Sequence, residues 1–405
     1  MRKLTVQLRR SPADAAIVGQ LAEVDRTVYF EYDSAFLDRR TQLSPFKLPL
    51  RPGLIEHADR SFGPLPGLFD DSLPDGWGLL LMDRMFRRRG IDPATVSPLE
   101  RLSYLGTRTM GALTYHPPAQ VERDNRSIDL HELGKNAQEV FSGAAVEVLP
   151  ALLRAGGSPG GARPKVLIGV HGDKIISGED DLPDGFEHWM VKFSAKSDAR
   201  DAGPIEQAYA DMARAAGIDM PQTRLFRVAK DPAYFGVRRF DRGPENRRSH
   251  VHTFGNLIHA NFRIPSTDYA DLMKVTLALT RSQADVLRVF RRMAFNIAAH
   301  VRDDHAKNFA FVMDGAGNWS LSPAYDLSFA TGPGGEHTMT VLGEGRSPTR
   351  EHALRLTTQF GVKPSEAADA IGQVNDAIAN WPRFASAATC TKKTAKAISS
   401  HLRSL

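Results

Sequence analysis

A lone lysine inside an apolar strand pattern constrains this chain more than any other feature. Residues 189–193 read Trp-Met-Val-Lys-Phe, a short aromatic and β-branched run of the kind that forms a strand. A cation in the middle of a buried strand needs a carboxylate or a phosphate oxygen beside it. Lys192 therefore either meets such a partner or lies on a sheet edge with its head in solvent. A helix is expected over residues 204–216, ending at Gly217, and Glu206 near its start is the nearest candidate partner.

The surrounding pattern is mixed. Residues 27–32 alternate polar and apolar in strand fashion, and residues 72–90 carry a helical apolar face that stops at Gly90. Ser97-Pro98-Leu99-Glu100 is a capping box with proline at the first helical position. Residues 111–116 read as a closing strand, and the polar stretch 117–126 suggests a boundary. Two helical segments, 128–141 and 146–153, lead into Gly156-Gly157-Ser158-Pro159-Gly160-Gly161, which is too flexible for a regular element. Strand-like runs follow at 164–170, 188–193, 223–228 and 234–240. From residue 268 the pattern is mainly helical, apart from a hairpin of 308–313 and 319–321 around the turn 314–318. The expected fold class is α+β, divided as residues 1–120, 121–245 and 246–405.

Bulk properties narrow the class. A chain of 405 residues is too long for one ordinary core, and 42% hydrophobic with 24% charged residues is globular. No apolar run of about 18 residues is present to span a bilayer. The start, MRKLTVQLRRSP, is basic with no apolar run behind it, a poor secretory signal. One cysteine, Cys390, leaves no internal disulfide framework or Cys-based zinc site. A cytoplasmic protein without membrane contact is expected. The net charge of +5 is mildly basic and favours a polyanionic partner, but each of the clusters 87–89, 238–239, 247–248, 291–292 and 392–393 reads singly as a solvated face.

The chemistry-bearing segment is Asp303-Asp304-His305-Ala306-Lys307-Asn308, directly after a helical stretch at 286–300. Phosphoryl transfer needs a carboxylate to take the attacking hydroxyl's proton and oxygen ligands for Mg²⁺. An Asp followed five residues later by an Asn supplies both, and Asp326 adds a second acid after a strand. Asp304 is out of register and is expected to orient the loop. The same residue types also cap helices and pin turns, so spacing alone leaves that reading open. His305 could be a metal ligand or a structural histidine, with few partners at ligand spacing for the former. The glycine-rich segment matches neither GxxxxGK[ST] nor GxGxxG, although glycine-rich backbone amides can wrap phosphates. A glycine-rich loop, a lysine strand, a helix, two strands and a helical half with an acidic loop follow the order of parts that a kinase sets around ATP.

Taken together, these segments resemble the HipA family of bacterial Ser/Thr kinases, the toxins of type II toxin–antitoxin pairs. The likeness rests on Asp303–Asn308 with Ala324-Tyr325-Asp326, on 160–165 (GGARPK), on Arg239-Phe240-Asp241-Arg242, and on 72–78 (SLPDGWG) with 106–113 (GTRTMGAL). It implies a protein-kinase-like two-lobe fold with an N-terminal α/β subdomain and a mainly helical C-terminal lobe. It also implies ATP and Mg²⁺, with Asp303 as catalytic base, Asn308 and Asp326 as metal ligands, and Lys192 on the phosphates supported by Glu206. Gly160, Gly161, Ala162, Arg163 and Lys165 would cover the phosphates, Arg238 to Phe240 would lie along adenine, and His305, Lys307 and Tyr325 would border the nucleotide. Ser158 aligns with the serine that the family autophosphorylates. The implied partners are a HipB-like helix-turn-helix antitoxin, operator DNA mainly through that antitoxin, and a protein substrate such as an aminoacyl-tRNA synthetase. A DNA-bound corepressor with residual kinase activity, and a kinase of small molecules or lipid headgroups, are the competing readings.

Overall fold

A computed structural model describes residues 2–119, 127–144, 148–156, 160–194, 201–227 and 233–405. Ser158 and most of the boundary stretch at 117–126 lie outside the described residues.

The basic N-terminus forms a strand. Arg2–Ser11 pairs antiparallel with Asp14–Val24, and the five-stranded sheet runs Leu54–Glu56, Thr27–Tyr32, Asp14–Val24, Arg2–Ser11, Leu113–His116. Leu4, Val6 and Leu8 alternate into a core with Leu21, Phe30, Phe69 and Tyr115, while Lys3 is exposed. The capping box forms as expected: Glu100 N donates to Ser97 Oγ at 3.3 Å and Ser97 N to Glu100 Oε2 at 2.7 Å.

The lysine strand is central. A second antiparallel sheet runs Lys174–Ser177, Lys165–His171, Glu187–Lys192, Tyr234–Arg238, Thr223–Phe226. Lys192 has Lys165 opposite it on one neighbour and Phe235 on the other, so the edge-strand alternative does not hold. Helix Ala202–Ala215 buries Ile205, Tyr209 and Met212 in one core with Phe290, Phe295, Val374 and Trp381 of the helical half. That shared packing fixes the height at which Glu206 meets the lysine strand. The helical half is built on Tyr269–Thr280, Gln283–Ala298, Arg350–Gln359 and Pro364–Ala379, with a small sheet of His250–Thr253, Ala310–Met313 and Trp319–Leu321.

The basic clusters do not all face water. Arg239, Arg242, Arg248 and Arg292 are buried. Asp241 accepts from Arg239 Nε at 2.9 Å and from Arg242 Nη1 and Arg239 Nη2 at 2.7 Å, and also from Gly111 N at 2.8 Å. Arg242 donates onward to the carbonyls of Gly111 and Thr109. Burial alone would raise the Asp241 carboxyl, but the two guanidinium groups outweigh it and hold it far below the usual range. The segments 106–113 and 239–242 thus form one charged joint between the two sheets.

Candidate active site

Lys192 Nζ lies 2.5 Å from Asp326 Oδ1 and 3.0 Å from Glu206 Oε2. Burial by itself would lower the ammonium's pKa; the two carboxylates outweigh it and hold it above the ordinary lysine value. Asp326 moves the other way, kept well below the carboxylate range chiefly by Lys192. Glu206 is raised, because its burial and the like charge of Asp326 exceed the pull of Lys192. Asp326 keeps 41% of its side chain accessible although protein packs closely around it, whereas Lys192 keeps 12%. The cluster therefore opens to solvent on the Asp326 side. Asp326 also takes a left-handed backbone, φ 58°, which costs a non-glycine residue on the order of 1 kcal/mol.

Two loops carry the remaining groups, and one arginine holds both. Arg292 Nη2 donates to Asn308 O at 2.6 Å and Tyr325 O at 3.0 Å, with its guanidinium 4.1 Å from the Phe309 ring centroid. Asn308 in turn spends its side-chain N–H on Asp303 O at 2.7 Å, which leaves its carboxamide oxygen as an acceptor. Asp304 is the anchor of the loop. Its Oδ2 accepts from Tyr269 Oη at 2.7 Å and His337 Nδ1 at 3.0 Å, and its Oδ1 from Thr338 N at 2.9 Å. Its neighbour Asp303 is exposed, with a carboxyl raised mainly by desolvation and then by Asp326 and Asp304, against His305 and Arg163.

The glycine-rich segment docks on the 72–78 motif. Gly161 N donates to the Asp75 carboxylate, Trp77 N donates to Gly161 O at 3.0 Å, and Lys165 Nζ donates to Gly160 O at 2.5 Å. Gly76 sits at φ 46°, and a Cβ there would strike the backbone of Ala162. Ala162 and Arg163 are exposed. Lys165 is buried beside the charge cluster, and desolvation lowers its ammonium to about 8 against the pull of Asp326. Lys307 pairs with Asp70 at 3.2 Å and lies 3.9 Å from Asp75; burial alone would lower its pKa, but these carboxylates hold it above the ordinary lysine value. Tyr325 donates its hydroxyl to Lys307 O at 2.7 Å and stacks on Phe240 with centroids 5.7 Å apart.

Along the segment expected to meet adenine, Arg238 N and Arg239 N are already bonded to the carbonyls of Gln222 and His188, both at 2.9 Å. Arg238 pairs with Glu187 at 3.2 Å. Of the three amides expected along adenine, that of Phe240 makes no backbone bond among the described residues. Sequence reasoning missed Asp70, Asp75 and Arg292. The first two belong to a loop with three aspartates in six residues, Asp70, Asp71 and Asp75. Arg292 was hidden inside a basic pair that reads as surface.

Among the described residues no group of three His, Cys, Asp or Glu side chains is gathered for a metal. Mg²⁺ does not require one, since it takes one or two protein oxygens together with phosphates and water. The free Asn308 carboxamide oxygen and Asp326 Oδ2, which accepts no hydrogen bond among the described residues, fit that donor set.

Residues 13–116 match the HipA N-terminal domain, and residues 157–381, more than half of the chain, match the HipA-like C-terminal domain. The chain belongs to the HipA family. A relative from Sinorhizobium fredii named "Putative kinase Y4dM" is 28% identical over 279 residues, which cover 65% of this chain. The matched stretch spans 62% of that relative's own length. Among solved structures, HipA of Shewanella oneidensis MR-1, determined with HipB and its operator DNA, superposes with a TM-score of 0.71. The match covers 98% of this chain and 94% of that one at 15% identity, a likeness of fold: α+β and kinase-like.

Proposed function

We propose that this chain is a HipA-like serine/threonine protein kinase that transfers the γ-phosphate of ATP to a protein hydroxyl. The observation that carries the reading is the Lys192, Glu206 and Asp326 cluster facing a loop that exposes Asp303 and fixes Asn308. In this reading Lys192 and Lys165 bind phosphate oxygens, and Lys192 is held ready by Glu206. Mg²⁺ held by Asn308 and Asp326 would neutralise charge on the phosphates. Asp303, with its carboxyl raised, takes the proton of the acceptor hydroxyl as that oxygen attacks phosphorus and the bond to ADP breaks. Gly160 to Arg163 border the phosphates, while Phe240, Tyr325, His305 and Lys307 line the nucleotide.

The family supports a toxin role with a HipB-like antitoxin, and with operator DNA reached mainly through that partner. A cytoplasmic location, a translation component such as an aminoacyl-tRNA synthetase as substrate, and autophosphorylation at Ser158 belong to the same proposal. Residues 1–120, 121–245 and 246–405 are its working divisions. Calorimetric titration with ATP tests the site: binding that strengthens with Mg²⁺ and is lost in Asp326→Ala supports it. Equal binding by both proteins contradicts it.

A further inference from the structure

The rim of this site carries a turn that none of the assigned roles uses. Residues 261–264 close on an Ile264 N to Asn261 O bond of 3.0 Å, with Arg263 N donating to Asn261 Oδ1 at 3.1 Å. Phe262 fastens the turn to the acidic loop: its ring centroid lies 5.3 Å from that of His305 and 4.8 Å from Lys307 Nζ. The Arg263 guanidinium also lies over this ring, 4.6 Å from its centroid. The next residue, Ile264, is 60% exposed, and among the described residues it is the one large hydrophobic side chain after residue 141 left exposed.

A single exposed isoleucine needs no explanation by itself. Its position supplies one. Arg263 has no carboxylate within 4.0 Å among the described residues, unlike Lys192 and Lys307 deeper in the cleft. Arg163, exposed on the facing loop, already pulls the Asp303 carboxyl down. Phe262 lies against His305, two residues from Asp303, so the turn sets Arg263 and one apolar side chain beside the acidic loop.

We propose that the turn at residues 261–264 docks the protein substrate. It would take an extended acidic segment, with a carboxylate on Arg263 and an apolar side chain on Ile264, beside the acceptor hydroxyl. This rests on the kinase reading and names the substrate class for it. Both contacts would be solvent-exposed and therefore weak, so the discrimination should be several-fold rather than absolute.

The test is ³²P transfer from ATP to an array of serine peptides whose flanking residues are Asp, Lys, Leu or Ser. The wild type should favour acidic peptides carrying an adjacent leucine by about fivefold in kcat/KM. Arg263→Glu should reverse the charge preference, and Ile264→Ser should remove the leucine preference. Both variants should keep the wild-type KM for ATP. An unchanged preference in Arg263→Glu overturns the docking turn while leaving the kinase reading standing. ATP turnover by the wild type with no peptide phosphorylated also overturns it. Absence of ATP binding and of all transfer overturns both.

Discussion

The ammonium of Lys192 stands 2.5 Å from Asp326, and this one contact closes the second sheet onto a loop 134 residues further along the chain. Lys192→Met would remove the cation that Asp326 and Glu206 share and leave only Lys165 nearby, which weakens the case for both carboxylates staying ionised. Because Asp326 is partly accessible, the expected loss of stability is about 2 kcal/mol rather than the full cost of a buried pair. Urea unfolding should show it, together with loss of ATP binding. An unchanged midpoint would contradict the role given to this contact.

Asp303 and Asp304 are neighbours with opposite expectations. Asp304→Ala removes the acceptor for Tyr269, His337 and Thr338 in a fully buried setting and should cost about 3 kcal/mol. Asp303→Asn, on the exposed side, should stay within about 0.5 kcal/mol of wild type. Chemical denaturation of the two variants measures the difference, and the reverse order would show that the loop is anchored otherwise.

Lys165 gives the activity a dependence on alkaline pH. Its ammonium is lowered to about 8, so the cation is present below that pH and is lost as pH rises through it. If the cation meets phosphate, kcat/KM for ATP should fall above pH 8, since this ratio reports the free enzyme. Lys165→Arg should carry the falling limb beyond about pH 10, because a guanidinium stays charged there. A flat wild-type profile through this range would remove Lys165 from phosphate binding.

The charged joint at Asp241 makes a structural prediction. Asp241→Ala would strand Arg239 and Arg242 without their carboxylate and should destabilise the protein by about 4 kcal/mol. Hydrogen exchange should quicken in strand Leu113–His116, beside the Gly111 amide that Asp241 holds. Unaltered exchange there would mean that the joint does not support the N-terminal sheet.

Local spacing made Lys192, Asp303, Asn308 and Asp326 legible in the sequence, because each sits in a short pattern whose chemistry is unusual for its surroundings. Helix and hairpin positions were legible for the same reason. The opening strands, Arg2–Ser11 and Asp14–Val24, were not read, although Leu4, Val6 and Leu8 alternate, because the interleaved arginines and lysine mask the short apolar pattern. The contacts of Asp75 with Gly161 and of Lys307 with Asp70 join residues 86 and 237 positions apart, and no local pattern encodes them. Arg292 shows the limit of reading charge as exposure. Arg291 beside it is partly exposed, and only the packing of helix Gln283–Ala298 against Phe309 turns Arg292 inward.

The central claim is that Asp303 serves phosphoryl transfer at this centre. Transfer of ³²P from labelled ATP to protein, compared between wild type and Asp303→Asn, tests it most directly. The account predicts incorporation by the wild type and its loss in a variant that remains folded and still binds ATP with Mg²⁺. Undiminished incorporation by Asp303→Asn would contradict it.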